Sequence, residues 1–201
     1  MKNEFCSNPN EYFGKLAELL KSTEATALDG TASPMDEACR KGVELIAATK
    51  TSGAKVMLIG NGGSAAIVSH IQNDLCDSAG VRAIVFNEPP FLTAVANDHG
   101  YETFFEQAVR LWAEKGDLLV AVSSSGRSKS ILRAIEAGKE KGVISLTFSG
   151  FRPDNPLRQL GDINFYVKSE VYGFVETAHA VIGHFLTDSV IHSEQSLKAA
   201  R

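Results

Sequence analysis

The sequence predicts an α/β fold: a three-layer sandwich in which helices cover both faces of a five-stranded, mostly parallel sheet. Three observations carry this. From Lys55 onward, short β-rich runs alternate with helical patterns. The runs are apolar without alternation, which implies burial on both faces, as in a parallel sheet held between helices. No internal repeat, long linker or low-complexity tract divides the 201 residues. They therefore form one domain, 1–201, with a helical pair in 1–53 and the α/β core in 54–201.

The elements follow in order. YFGKLAELLKSTEATAL (12–28) sets Phe13, Leu16, Leu19 and Leu20 at three- and four-residue spacings, an amphipathic helix. SPMDEACRKGVELIAATKTSG (33–53) reads as a second helix, with Ser33 as N-cap, Pro34 in the first turn and Gly53 past the end. Neither carries a reactive constellation, so the pair is structural, packed on the core or on a partner subunit. Strands are expected at KVMLI (55–59), RAIVF (82–86), DLLVAV (117–122), VISLTF (143–148) and INFYV (163–167). Helices are expected near 63–77, 101–115, 128–142 and 174–192. FRPDNPLRQLG (151–161) reads as a proline-punctuated surface loop.

Composition narrows the function. The chain is 44% hydrophobic and 22% charged with a net charge of −4, which speaks against a nucleic-acid surface. No apolar run approaches the roughly 20 residues that span a bilayer. The N-terminus MKNEFCSNPNEYF is polar where a signal peptide is apolar, so a cytoplasmic location is expected. Cys6, Cys39 and Cys76 are odd in number and form no CxxC pair, which suits reduced thiols.

Two turns look built for an anion. Gly60-Asn61-Gly62-Gly63-Ser64 joins a strand to a helix, where glycines permit close approach and the helix start favours negative charge. GNGGSA also satisfies the dinucleotide pattern G-x-G-x-x-G/A, and the next strand ends at Asn87 and Glu88. The second turn, Ser123-Ser124-Ser125-Gly126-Arg127-Ser128, is again strand to helix, now stocked with hydroxyls. Converging hydroxyls suit a phosphate, and a dinucleotide fold has no need of such a second loop. One or two of these serines also fit a helix cap. On the helix after the first turn, His70 and Asp74 stand one turn apart on one face, a spacing suited to a shared ion.

GNGGS, SSSGRS and the intervening TAVANDHGYE resemble the sugar isomerase (SIS) domain family, in its phosphoheptose isomerase branch. The resemblance covers most of the chain. It implies a flavodoxin-like five-stranded sandwich that binds phosphosugars through the serine-rich turn. It further implies a homotetramer with sites at subunit interfaces, converting sedoheptulose 7-phosphate to D-glycero-D-manno-heptose 7-phosphate. By this likeness Ser123, Ser124, Ser125 and Ser128 hold the phosphate, Asn61, Gly62, Gly63 and Ser64 line the sugar, and Asn97 and Asp98 match an Asn-Asp pair near the substrate.

The branch also carries one zinc per subunit, held by His-x-x-x-Glu on one helix and Gln-x(7)-His on a later one. The matching residues are His70, Asp74, Glu176 and His184, with Asp for Glu and Glu for Gln. Both replacements keep oxygen ligands that zinc accepts. Glu176 and His184 are eight apart, about 12 Å along a straight helix. That spacing favours ligands supplied across a subunit interface, or one of the two acting without coordination. By likeness to the family, Asp74 and His184 are the proton-transfer candidates, with Glu176 as a substitute base and substrate contact. His99, His179 and His192 read as hydrogen-bonded core or surface residues. The alternative is a non-catalytic SIS module that binds a phosphosugar or a replication initiator protein, against which His70 and His184 argue. A phosphosugar-sensing regulator would bring a DNA-binding segment, and a dinucleotide enzyme comes last.

Overall fold

The structure, a computed structural model, describes residues 6, 8–27 and 29–199, the side chains of 194–199 excepted. Leu28, the last residue of the first expected helix, and the polar start at 1–5 lie outside the described residues. The first helix, α1 (Pro9–Lys21), is capped by the Asn8 side chain, which accepts from Asn10 N at 2.8 Å. It ends earlier than the periodicity predicts. Ser22 Oγ donates back to Glu18 O at 2.8 Å and Thr23 Oγ1 to Leu19 O at 3.0 Å. These hydroxyls satisfy the last helical carbonyls and let the chain turn out.

The remainder of that expected helix is a strand, β1 (Glu24–Ala27), followed by the short β2 (Ala32–Ser33). Ser33 is thus part of a strand and not the cap of α2 (Met35–Ser52), whose N-cap is Pro34. Gly53 does close α2, at φ 75°.

Five strands then form the expected parallel sheet: β3 (Val56–Gly60), β4 (Ala83–Val85), β5 (Leu118–Ser123), β6 (Ile144–Ser149) and β7 (Ile163–Tyr166). The hairpin β1–β2 adds two antiparallel strands at the β7 edge, so the sheet has seven strands where five were expected. The full order is β2-β1-β7-β6-β5-β3-β4. After β3 the chain steps outward to β4, then returns to place β5 on the other side of β3. The crevice at such a reversal, outside the carboxyl ends of β3 and β5, is where ligands bind in open α/β sheets. Both anion-type turns leave the sheet there.

Burial follows the pleat. Val56, Leu58, Val120 and Val122 face a core shared with α2, α3 (Gly63–Asp77) and α8 (Tyr172–Ala199). Met57, Ile59, Leu119 and Ala121 face the other, with α4 (Pro89–His99), α5 (Phe104–Trp112), α6 (Lys129–Glu140) and α7 (Pro156–Leu160). A short 3-10 helix, Tyr101–Thr103, links α4 to α5. Helix α4 had no counterpart in the sequence reading. The 151–161 segment is no surface loop either: Asn155 and Leu157 are fully buried, and Asn155 caps α7 by accepting from Arg158 N at 3.0 Å.

Helices α3 and α8 run side by side in the same direction. Gly63 lies against Glu176 and Gly183 against Ile71, so matching positions advance together along both. A Cβ on Gly183 would come within 2.5 Å of Ile71 Cδ1. On the inner face of α8, His179 is fully buried, bonded through Nε2 to Ser149 O at 3.1 Å and edge-on to Phe148. It is the core histidine expected from the sequence. Burial pulls its pKa down from 6.5 to about 4.

Two outcomes are expected. Gly183→Leu should overpack the seam and cost about 1–3 kcal/mol in urea unfolding. For His179, the unfolded chain takes up the proton first. Stability that is complete above pH 6.5 should therefore fall by roughly 3 kcal/mol as the pH drops to about 4. His179→Gln, which keeps a donor for Ser149 O, should flatten urea unfolding measured across that window.

Candidate active site

The first turn is shaped by its glycines. Gly62 holds φ 55°, and a Cβ on Gly60 would strike the Ser64 backbone at 2.7 Å. At Gly63 a Cβ would fall 2.5–2.6 Å from the Glu176 carboxylate. The missing side chain makes room for that acid over the start of α3, where the helix dipole favours negative charge.

The second turn closes with Gly126 N donating to Ser123 O at 3.0 Å, with Gly126 at φ 61°. Any side chain on Gly126 would collide with the buried Asn155. Asn155 is pinned in turn by donating to Arg152 O at 2.8 Å and Gly150 O at 3.2 Å. Leu157 N donates to Gly126 O at 3.1 Å. The 151–161 segment is therefore the underside of the serine turn.

One of these serines stands at a helix cap, as the sequence reading allowed. Ser128 occupies the N-cap position of α6, yet its side chain makes no capping bond. Ser125 Oγ accepts from Arg127 N at 3.3 Å. Ser124 Oγ is buried and has no hydrogen-bond partner among the described residues. A buried hydroxyl in that state costs free energy unless a ligand or water completes it. Ser123, Ser124, Ser125 and Ser128 line a pocket of about 210 Å³ together with Ser64, Asn61, Tyr172 and Glu176.

Asn61 joins the two turns. Its Nδ2 donates to Ser128 Oγ at 2.8 Å and Ser130 Oγ at 3.1 Å, and its Oδ1 accepts from the Tyr101 hydroxyl at 2.5 Å. Tyr101, Ser130, Tyr172 and Asn155 were missed in the sequence. Only Asn155 carried a signal, the Asn-Pro start of a helix.

Two turns farther along the seam, His70, Asp74 and His184 come together within one chain. Asp74 Oδ2 lies 3.7 Å from His70 Nε2 and 3.4 Å from His184 Nδ1, and the two rings are 5.0 Å apart. One donor atom from each falls within 4.8 Å of the others. Zinc bonds of roughly 2.0–2.1 Å in a tetrahedral site set neighbouring donors about 3.4 Å apart, so this set of two imidazoles and a carboxylate fits a divalent metal. Glu176, expected as a fourth ligand, is outside the group. Eight residues separate it from His184 on one helix, and its carboxylate is at Gly63. Asn97 and Asp98 stand exposed on α4, bonded to each other at 2.8 Å and outside the pocket lining. Cys76 is exposed on α3, away from the group, with Sγ toward Ala83 O at 3.4 Å, and no disulfide joins the described cysteines.

Comparison with known proteins agrees with this geometry. The sequence pattern of the SIS domain family matches residues 11–150. The chain is 37% identical to the phosphoheptose isomerase of Burkholderia pseudomallei over 152 residues, 73% of this chain and 77% of that protein. It is 32% identical to that of Helicobacter pylori over 170 residues, 82% and 88% of the two. The phosphoheptose isomerase structure from Neisseria gonorrhoeae superimposes with a TM-score of 0.79, covering 90% of this chain and 96% of that one. At 23% identity the last likeness is one of fold. The chain belongs to the SIS domain family, in its phosphoheptose isomerase branch.

Proposed function

We propose that the protein interconverts sedoheptulose 7-phosphate and D-glycero-D-manno-heptose 7-phosphate by aldose–ketose isomerisation through an enediol. One observation carries the reading: the serine pocket meets the start of the α3–α8 seam through Ser64 and Glu176, and the His-Asp-His group lies two turns farther along that seam. Gly63 and His70 are seven residues apart on α3, about 10 Å of rise. A chain advancing roughly 1.2 Å per bond, as a polypeptide does, covers about 9 Å from a C7 phosphate to C2, a length of the same order.

At the phosphate end, Ser123, Ser124, Ser125 and Ser128 supply hydroxyl donors, with Asn61, Gly62, Gly63 and Ser64 lining the sugar beside them. Glu176 accepts from sugar hydroxyls there, held over Gly63. At the other end, His70, Asp74 and His184 would hold one Zn2+, which would supply Lewis-acid polarisation of the substrate carbonyl. Asp74 turns Oδ2 to both imidazoles. That leaves Oδ1 to take the proton from C1 of the ketose and return it to C2. His184, oriented through Nδ1, uses Nε2 to move the hydroxyl proton between the two oxygens. Val181 and Phe185 are exposed apolar residues flanking His184 on α8, which suits a subunit contact beside the site, as a homotetramer with its sites at subunit interfaces would need. No helix among the described residues is long and apolar enough to cross a membrane, and a phosphosugar substrate is in keeping with a cytoplasmic location.

Proton NMR of the zinc-supplemented protein with sedoheptulose 7-phosphate in deuterated water should show heptose 7-phosphate signals. Chelation should abolish them and added Zn2+ restore them. Phosphate-ester binding without turnover would instead identify a binding module. Asp74→Ala and His184→Ala should each lower kcat by about 100-fold or more, with KM for the sugar phosphate changed far less. Full activity in either variant would overturn the assignment.

A further inference from the structure

Tyr101 does not line the serine pocket, yet its hydroxyl is bonded to the one side chain that joins the pocket's two turns. We infer that Tyr101 is a positioning residue for the anion cradle: by donating to Asn61 Oδ1 it fixes the amide so that the Ser128 proton is left for the ligand's phosphate. The inference rests on the phosphosugar reading of the pocket and deepens it.

A side-chain amide can face either way, and serine hydroxyls, which both donate and accept, cannot decide its direction. In the opposite orientation Asn61 Oδ1 would take the protons of Ser128 and Ser130, and neither would remain for an anion. The Tyr101 phenol, a stronger donor and weaker acceptor than an alkyl hydroxyl, lies 2.5 Å from Oδ1 and donates to it, which favours the other arrangement. Partial burial raises the Tyr101 pKa, which keeps the hydroxyl a donor. Both amide hydrogens then go to Ser128 Oγ and Ser130 Oγ. The two serine oxygens are 3.2 Å apart and either can donate; with an anion taking the Ser128 proton, the buried Ser130 is free to give its own to Ser128 Oγ. Ser128 then has both acceptor positions filled. Its single proton points to the pocket, where the charged oxygens of a phosphate only accept.

The test measures the Kd for inorganic phosphate, and KM and kcat for sedoheptulose 7-phosphate, in wild type, Tyr101→Phe, Ser128→Ala and the double variant. Tyr101→Phe should raise Kd and KM by roughly three- to tenfold, as expected for one lost hydrogen bond, and leave kcat within about twofold. Added to Ser128→Ala, it should cause no further loss, because it acts through Ser128. Unchanged phosphate binding in Tyr101→Phe would overturn the inference, as would an equal loss with Ser128 absent. A folded wild type that binds no phosphate would overturn the pocket reading itself, and the inference with it.

Discussion

The close approach of α3 and α8 is the constraint on which the site depends. Helices whose axes meet over side chains hold each other 8–10 Å apart, and small residues at the contact bring them to the near end of that range. Here Gly183 admits Ile71 and Gly63 admits the Glu176 carboxylate, one contact near each end of the seam. Because the helices run in the same direction, each step along one is matched by a step along the other. Glu176 is thereby carried to the start of α3, and His184 to His70 and Asp74. The two poles are spaced by helix geometry, which is stiff, and not by loops.

The sheet supplies the second half. Strands β3 and β5 are direct neighbours, with Gly60 paired to Val122, so the turns that follow them emerge side by side. Asn61 spans the gap to the serines of the second turn. The second turn is held from below by Asn155, which is part of a buried polar chain. Asn155 Nδ2 donates to Ser149 Oγ at 3.4 Å, and Ser149 Oγ donates to Asn164 Oδ1 at 3.2 Å. Buried polar groups satisfied by one another define one arrangement more sharply than an apolar core does. That is an apt foundation for a cradle made of small, rotatable hydroxyls.

The parts legible in the sequence were those governed by local rules. The five parallel strands were visible because they are short, largely apolar runs between helical patterns, and the two anion turns because glycine and serine clusters interrupt those runs. His70 and Asp74 were visible because one helical turn places them together. What escaped was decided by distant partners. Residues 24–27 have helix-compatible composition, and only pairing with β7 makes them a strand. Residues 151–161 look like a loop until Asn155 is seen under Gly126. The division of labour between Glu176 and His184 was half legible. Their eight-residue spacing favoured ligands from two subunits or one residue acting without coordination, and the packing of α8 on α3 brings His184 to His70 and Asp74 within one chain. Tyr101 had no local signal at all, since its relevance comes from forty residues earlier in the chain.

The seam carries two carboxylates, Asp74 and Glu176, and a phosphosugar would bring a phosphate to the same crevice. Like charges in a partly buried cleft repel more strongly than in water. Three features of the chain oppose that repulsion. The start of α3 lies under the Glu176 carboxylate, where the helix dipole favours it. The serine hydroxyls line the phosphate end, with Ser128 held by the Asn61 amide. His70 and His184 flank Asp74, forming with it a donor set that fits a dication. A dication there would offset Asp74 and leave Glu176 balanced by the helix, so two carboxylates on one seam favour a site that works with a metal bound.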